Sequence, residues 1–233
     1  MKVSKALLIL FLLKVGLSFG SEFLKPTKKV IIDIGEPSDI CQGGQKDSYY
    51  VVSDNGSIYK WNNKNQAQKL KVSLWDAEGV CLTGKYLCVM EETPRRIVLL
   101  DTSDFTQHNS FHLVHTGGRN QSFESIAVNF RNEYLTCIEK NPAEFRLLDS
   151  DFTEKKRFSI DNIKEVSGIT FHADCWWILS DEGSCVYVLN SDFKIMRHLR
   201  FDVMNAEGIT FNEFGEMMIL SDDLHSIYYF KIP

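Results

Sequence analysis

One pattern recurs five times along the chain and limits its fold more than any other feature. Each copy has a Ser- or Glu-led turn into a short apolar strand, followed about fourteen residues later by a second apolar strand ending in an acidic cluster. The leading residues recur after 40, 46, 43 and 40 positions; they are Ser38, Glu78, Glu124, Ser167 and Glu207. A period of this length is typical of propeller blades and solenoid repeats.

Each repeat contains four β-type runs separated by turn residues. In the fourth repeat these runs cover residues 169–171, 176–180, 185–189 and 195–201. Turns rich in Asx and Ser, whose side chains bond their own backbone, close the hairpins. Four short runs predict one antiparallel four-stranded blade per repeat, and the chain as a whole is predicted to be all-β.

The two ends of the chain indicate how a ring of blades closes. The last repeat supplies only three strands, whereas an unassigned run at residues 29–34 precedes the first repeat. If this run becomes the outer strand of the last blade, the exposed sheet edge disappears. We therefore predict a five-bladed β-propeller closed by its N-terminal strand, with an open β-sandwich as the alternative.

The first twenty residues have the pattern of a secretory signal. Lys2 and Lys5 precede an apolar run at residues 6–13, and small residues follow near position 20. The run is shorter than the roughly 20 residues that span a membrane, so a cleaved signal is favoured over an uncleaved anchor. We expect a signal peptide at 1–20 and one propeller domain at 21–233. The protein is expected to be exported to the periplasm or cell envelope, the alternative being anchorage in the inner membrane through the N-terminal segment.

The charge balance limits the class of partner. Without the signal, 23 basic residues stand against 31 acidic ones, a net charge of −8. Nucleic-acid recognition depends on positive charge, so the composition argues against nucleic acid as a partner. The expected partner is an extracytoplasmic small molecule or protein, and the chain is expected to be a monomer.

Two groups of residues are predicted to be buried. Most of the six cysteines lie in apolar strands, which favours free thiols; a disulfide framework is the alternative, with Cys175 and Cys185 the first pair to consider. The aromatic runs at 176–177 and 228–230 are predicted to pack between blades, because both faces of a blade are covered.

Strand direction in a propeller brings the acidic residues of the repeats together. First strands start, and second strands end, at the same rim of the channel. Eight acids are therefore predicted at one mouth: Asp54, Glu78, Glu91, Glu124, Glu139, Asp181, Glu207 and Asp222. Concentrated carboxylates repel one another and are the ligands that Ca²⁺ prefers. The candidate calcium ligands are Glu78, Glu124, Glu207, Glu139, Asp181 and Asp222; alternatively, these acids cap turns and pair with Lys and Arg.

Cationic and amide side chains follow the acids in the second and third repeats. They are Arg95, Arg96, Lys140 and Asn141. One interpretation is that they hold an anionic ligand beside the metal. The other is that they only neutralise the acidic rim.

The motifs at these positions resemble those of a known family. Glu78-Gly79-Val80, Glu139-Lys140-Asn141-Pro142 and Ala206-Glu207-Gly208-Ile209 look like elements of the SdiA-regulated (YjiK-like) proteins, which are similar to NHL-repeat propellers. The resemblance covers roughly residues 29–232 and implies an exported five-bladed propeller with a calcium site and an unassigned activity. Asp39 and Ser125 stand where the family usually has Gly.

Three functions from different classes follow. The first is a non-enzymatic, calcium-binding module with an unassigned ligand. The second is a calcium-dependent hydrolase of esters, lactones or phosphoesters, for which only His225 or an acid of raised pKa is available as a base. The third is an interaction scaffold without a metal.

Overall fold

The computed structural model describes residues 21–62, 64, 66–115, 122–140 and 142–233. In this part of the chain the backbone forms five sheets connected by turns and loops. None of the described residues belongs to a helix with the length and apolarity needed to cross a membrane. The predicted signal peptide at 1–20 lies outside the described residues.

The strands follow the order of the sequence repeats. Before the first repeat come β1 (Glu22–Phe23) and β2 (Lys28–Ile31). Blade 1 has β3 (Pro37–Gln42), β4 (Ser48–Ser53), β5 (Ser57–Asn62) and β6 (Gln66–Ser73). Blade 2 has β7 (Ala77–Thr83), β8 (Tyr86–Glu91), β9 (Arg96–Asp101) and β10 (Gln107–His112).

The remaining three blades repeat the same arrangement. Blade 3 has β11 (Phe123–Val128), β12 (Tyr134–Ile138), β13 (Glu144–Leu148) and β14 (Glu154–Phe158). Blade 4 has β15 (Gly168–His172), β16 (Cys175–Ser180), β17 (Cys185–Leu189) and β18 (Ile195–Arg200). Blade 5 has β19 (Ala206–Phe211), β20 (Met217–Ser221) and β21 (Ser226–Phe230).

The N-terminal strand closes the ring. β2 pairs antiparallel with β21, with Lys28 opposite Tyr229 and Ile31 opposite Ser226, and so completes blade 5. The inner strands β3, β7, β11, β15 and β19 contact one another in cyclic order around a central channel. The prediction of a five-bladed propeller closed by its N-terminal strand is confirmed.

Blade 4 has an additional outer strand that the sequence did not predict. β1 lies parallel to β18, with Glu22 opposite Leu199. An ion pair between Arg197 Nη2 and Glu22 Oε2, 2.9 Å long, joins the same two strands. The edge of blade 4 is therefore covered by the segment that leads into the closing strand.

The core consists of five apolar clusters, each shared by two neighbouring blades. Adjacent residues of one strand belong to different clusters: Trp176 packs between blades 3 and 4, and Trp177 between blades 4 and 5. Tyr228 and Tyr229 alternate in the same way, so the prediction that these aromatic runs pack in the core is confirmed. Burying one such side chain contributes roughly 1.5 to 3 kcal/mol, so much of the stability lies between blades.

The cysteines are free thiols. All six are unpaired, and five of them are buried. Cys175 begins β16 and Cys185 begins β17, and because these strands are antiparallel the two residues lie at opposite ends of the pair. A Cys175–Cys185 disulfide is therefore excluded by the fold, since bridged Cα atoms lie within about 7 Å.

Candidate functional site

A β-bulge near the start of the inner strands positions the residues that lead the sequence repeats, three of which are glutamates. Pairing between the first and second strands skips one residue in four blades, and the skipped residues are Ser38, Glu78, Glu124 and Glu207. A bulged residue is unpaired, and its side chain is turned away from the regular alternation of the strand. These four residues, with Ser167 at the equivalent position before β15, form what we call the inner ring.

A second set of acids follows the second strand of each blade. The residue immediately after β4, β8, β12, β16 and β20 is acidic in every case, and we call this set the outer ring; its members are Asp54, Glu92, Glu139, Asp181 and Asp222. In three blades the backbone N–H of the outer-ring residue donates to the carbonyl two positions before the inner-ring residue. These pairs are Asp54–Glu36, Glu92–Asp76 and Asp222–Asn205, at 3.2, 2.9 and 3.1 Å. The two rings together form the acidic mouth.

The prediction that Glu91 belongs to the mouth is wrong, and Glu92 takes that place. Glu91 has no exposed surface and occupies the position of Ser53 in blade 1. Its Oε1 accepts a 2.6 Å hydrogen bond from the Trp75 N–H, and its Oε2 pairs with Arg96. Side chains alternate along a strand, so the last residue of β8 points into the blade and the next residue is at the mouth.

Neighbouring inner strands approach one another closely just after the inner ring. A Cβ on Gly79 would lie 2.8 Å from the Ser125 Cα, and one on Gly208 would lie 3.0 Å from the Asp39 Cα. These glycines leave the room that Asp39 and Ser125 occupy in the adjacent blades. The Ser125 Oγ in turn accepts a 2.9 Å hydrogen bond from the Ile169 N–H of blade 4. The two departures from the family pattern are therefore links between blades.

Asp39 is a buried acid that the sequence did not assign to the site. It has no exposed surface, and its two oxygens accept hydrogen bonds from the N–H groups of Ile40 and Val80, at 2.8 and 2.9 Å. Burial raises the pKa of Asp39 well above its ordinary value, and the charges of Glu78 and Glu207 add to this effect. The sequence signal for it was the acid at a position where the family usually has Gly.

The inner-ring glutamates have the most perturbed carboxyl groups at the mouth. Burial, followed by the charges of Asp76 and Glu92, raises the pKa of Glu78 to about 8. Burial, followed by the charge of Glu78, raises the pKa of Glu124 to about 10. Burial, followed by the charge of Asp181, raises the pKa of Glu207 to about 7. Each of the three is destabilised in its charged form by its surroundings.

Three carboxylates of blade 2 come close enough to share one cation. One oxygen each of Asp76, Glu78 and Glu92 lies within 4.8 Å of the other two, and all three side chains are partly buried. Only Glu78 of this trio was predicted. Glu92 had a signal in the repeat, because it aligns with Asp54 and Asp222 when the second strands are aligned at their ends.

The other predicted ligands lie on the same rim but not in this trio. Glu139 makes a 2.7 Å ion pair with Lys140, and Asp181 Oδ1 accepts a 2.8 Å hydrogen bond from the Ala206 N–H. Burial, with the neighbouring Asp223, raises the pKa of Asp222. The charges of Glu139 and Asp181 contribute to the raised pKa values of the inner glutamates.

The predicted ligand-binding residues differ in how they are held. Arg96 pairs with the buried Glu91, and Lys140 bridges Glu139 and Glu182 at 2.7 and 3.0 Å. Arg95 donates to the His115 carbonyl and to the Ser122 Oγ. Burial, followed by the charges of Asp76 and Glu139, raises the pKa of Glu92, and the charge of Arg95 only partly offsets this rise. Asn141 lies outside the described residues. A role for these residues in binding a ligand stays a prediction.

The donor set at the mouth fits a hard cation. All the side-chain ligands in the Asp76–Glu78–Glu92 trio are carboxylate oxygens. Oxygen donors suit Ca²⁺ or Mg²⁺, and Ca²⁺ tolerates an irregular arrangement of carboxylates better than Mg²⁺, which demands octahedral geometry.

The fold and the mouth define the class of protein as a five-bladed β-propeller with an acidic channel opening. The model of the SdiA-regulated family matches residues 67–231, more than two thirds of the chain. The chain belongs to this family, and the resemblance seen in its motifs is confirmed.

Solved structures similar to this chain are propellers of low sequence identity. The glutaminyl cyclase of Myxococcus xanthus has a TM-score of 0.71 at 9% identity, covering 91% of this chain and 97% of that one. A streptogramin B lyase has a TM-score of 0.55 at 12% identity, covering 88% and 72%. The β-propeller domain of Cps50 (Swd1) from Myceliophteria thermophila has a TM-score of 0.52 at 12% identity, covering 86% and 66%. At these identities the likeness concerns the fold alone, and no curated protein matches the chain.

Proposed function

We propose that the protein is an exported, non-enzymatic binding module that holds a Ca²⁺ ion at the acidic mouth. The observation that carries this proposal is the Asp76–Glu78–Glu92 trio, whose oxygens lie within 4.8 Å of one another. Glu78 belongs both to this trio and to the inner ring, so a cation here neutralises the acids of blade 2 and lowers the repulsion felt by Glu124.

Electrostatics favours a cation over an empty mouth. Two rings provide eight carboxylates, whereas few cations lie at this rim: Lys140 pairs with Glu139, and the charge of Arg95 acts on Glu92. Without a cation, the inner glutamates avoid repulsion by holding protons, as their raised pKa values indicate. A bound Ca²⁺ replaces those protons, and its two positive charges stabilise several carboxylates at once.

Thermal melting in calcium and in chelator tests the metal. A ligand that binds only the folded state adds about 2.7 kcal/mol at a hundredfold excess over its Kd. For a domain of this size we expect the melting temperature to rise by roughly 5 to 10 °C. Mg²⁺ at the same concentration is expected to give a smaller shift, because it keeps its waters and demands octahedral geometry.

A pair of variants locates the ion. Glu78→Gln removes a charge shared by the trio and the inner ring and should abolish most of the calcium shift. Glu182→Gln removes one charge from an exposed side chain that contacts Lys140 near the same rim, and it should leave the shift unchanged. A calcium shift of wild-type size in Glu78→Gln, or no shift in the wild type, contradicts the proposed site.

The hydrogen bonds of the hydroxyl and imidazole groups near the mouth favour a binding role over hydrolysis. The Ser125 Oγ accepts a bond from the Ile169 N–H, and the Ser167 Oγ donates to the Ala206 carbonyl at 2.6 Å. The His225 Nδ1 lies 3.0 Å from the Ile34 carbonyl oxygen. None of these three contacts joins a nucleophile to a base, which nucleophilic catalysis needs. The Ser180 Oγ does donate to the Glu165 carboxylate at 2.7 Å, but both side chains are buried and out of reach of a substrate.

A substrate screen separates the two functions. Generic esters, lactones and phosphoesters are offered to the wild type and to Glu124→Gln, each with calcium. The binding role predicts no turnover above buffer in either protein. Turnover by the wild type that is lost in Glu124→Gln would establish the hydrolase instead.

Export is the part of this proposal that rests on the N-terminal sequence. The charged start, the apolar run and the small residues near position 20 support a cleaved signal. Mass spectrometry of the protein from cell fractions tests it. We expect a mature chain beginning near residue 21 in the periplasmic or envelope fraction; a full-length chain in the membrane fraction would indicate an anchor.

A further inference from the structure

A cavity lies at the end of the molecule opposite the acidic mouth. Inner strands start at the mouth, so the turns that follow β11 and β15 lie at the other end of the channel. There, between blades 3 and 4, a pocket of about 310 Å³ is lined by Phe130, Phe171, Trp176 and Phe193, with Leu147 beside them. We call this the aromatic pocket.

The aromatic wall is a connected series of ring contacts. The centroid of Phe171 lies 5.9 Å from that of Phe130 and 4.7 Å from that of Trp176, and Trp176 lies 6.4 Å from Phe193. Trp176 is 2% exposed and belongs to the core between blades 3 and 4. The wall is therefore held by the interior of the protein, and Phe130, which is 67% exposed, is its open end.

The turn that presents Phe130 is fixed by side-chain hydrogen bonds. The Asn129 Oδ1 accepts bonds from the N–H groups of Arg131 and Glu133, both at 2.9 Å. Such Asx turns define the backbone without help from neighbouring loops. The Phe130 ring is therefore held at a fixed position in solvent, beside the cavity. An exposed apolar surface next to a cavity is typical of a ligand site.

The charges at the pocket opening differ between its two sides. On the blade 3 side, the Arg131 guanidinium carbon lies 5.3 Å from the Phe130 ring centroid, and no ion pair to Arg131 is found among the described residues. Glu133 also lines this side of the pocket, but its carboxylate is paired with Lys155 and so does not leave an unbalanced negative charge there. On the blade 4 side, the lining includes the carboxylate of Asp174. An anionic group is therefore attracted to the blade 3 side and repelled from the blade 4 side.

We propose that the aromatic pocket binds a small aromatic carboxylate, with the ring against Phe130, Phe171 and Phe193 and the carboxylate on Arg131. The volume suits a ligand of one or two rings, and aromatic walls favour ring stacking and edge contacts. A guanidinium is suited to a carboxylate, which it binds through two parallel N–H donors. This site is independent of the calcium proposal, because it lies at the other end of the channel.

The turn after β19 provides a matched control for Phe130. Phe214 is 73% exposed, and the Asn212 Oδ1 accepts bonds from the N–H groups of Phe214 and Glu216, at 3.0 and 2.9 Å. A cation also lies over the Phe214 ring, because the Lys46 Nζ is 5.5 Å from the ring centroid. Phe214 is not among the residues that line the aromatic pocket. Removal of its ring therefore reproduces the loss of an exposed aromatic without touching the site.

The test titrates phenylacetate into residues 21–233, with binding followed by ligand-detected NMR. Small ligands of this size bind with a Kd on the order of 1 mM, and we expect that value for the wild type. Phe130→Ala should weaken binding at least about fivefold, and Arg131→Gln about tenfold, as expected for loss of a charge-assisted contact. Phe214→Ala and the addition of chelator should change nothing.

Two further ligands test the assigned chemistry. Phenethylamine and benzyl alcohol keep the ring but replace the carboxylate with a cation or a neutral group, and both should bind at least about fivefold more weakly than phenylacetate. Equal or tighter binding of either, equal losses in Phe130→Ala and Phe214→Ala, or no phenylacetate binding at about 10 mM overturns the proposal. Melting temperatures of the variants within a few degrees of the wild type show that they remain folded, as expected for exposed side chains.

Discussion

Replacing Glu124 with Gln should make the calcium-free protein more stable at alkaline pH. Glu124 is the bulged residue of blade 3, and burial followed by neighbouring carboxylates raises its pKa from 4.5 to about 10. The carboxamide keeps the shape of the side chain and can donate to Glu92, with which Glu124 is hydrogen-bonded. The substitution therefore removes the charge and the titration of this one group.

The sign and size of the effect follow from proton binding. Between pH 4.5 and about pH 10, the folded protein holds a proton on Glu124 that the unfolded chain has released. The free energy of unfolding therefore falls as the pH rises, by about 1.4 kcal/mol per pH unit for a single such group. From pH 5.5 to 8.5 this gives about 4 kcal/mol, an upper limit because the neighbouring acids titrate together.

We expect the variant to gain about 2 to 4 kcal/mol over the wild type between these pH values, or roughly 5 to 15 °C in melting temperature. The assay is calorimetric or fluorescence melting of both proteins in chelator at pH 5.5, 7 and 8.5. Below pH 4.5 the carboxyl is protonated in both states, so the two proteins should melt together in acid.

Glu182→Gln serves as the control for net charge. This substitution also removes one negative charge near the acidic mouth. The Glu182 side chain, however, is exposed and paired with Lys140. Its melting temperature should stay within about 2 °C of the wild type at every pH, because exposed ion pairs contribute little. If Glu124→Gln melts at or below the wild type at pH 8.5, Glu124 is not the buried, repelled acid described above.

Three further predictions concern the inner strands and the thiols. Gly79→Ala should lower the free energy of unfolding, measured by denaturant titration, by about 2 to 4 kcal/mol, because the new Cβ meets the Ser125 Cα at 2.8 Å. Gly44→Ala is the control: its Cβ would lie 3.6 Å from the nearest atom, so it should cost less than about 1 kcal/mol. Ser125→Ala should cost about 1 to 3 kcal/mol, because the Ile169 N–H loses its buried acceptor; Ser125→Thr should recover part of this loss. A thiol reagent should label Cys175 first in the native protein and all six cysteines in denaturant, and fewer than six would indicate a disulfide.

Much of the architecture could be predicted from the repeat. The spacing of Ser38, Glu78, Glu124, Ser167 and Glu207 gave the number of blades, and the missing outer strand of the last repeat gave the closure through β2. Both depend on local pattern and on the need to remove a sheet edge, which a single sequence records. The parallel pairing of β1 with blade 4 could not be predicted, because a strand of two residues is too short to show a periodic pattern.

The position of the candidate site was predicted from the sequence, but one of its acids was assigned one residue too early in the strand. Glu78, Glu124 and Glu207 do open inner strands, but the reason they stand apart from the strand face is the bulge, which a pattern of alternating residues does not reveal. Glu91 and Glu92 are adjacent and identical in sequence. Only the pairing of β7 with β8 shows that the first is buried in the blade.

By itself the sequence determined the all-β class, the five blades, the closing strand and the concentration of acids at one mouth, because these follow from periodicity and strand direction. The tertiary structure alone decided which oxygens come within reach of one cation and which acids are desolvated. It also decided that Phe130 and Arg131 face Phe171 and Phe193 across a pocket between blades. These features depend on bulges and on the packing of neighbouring blades. Distances of a few ångströms between side chains from about 15 to about 60 positions apart leave no trace in local pattern.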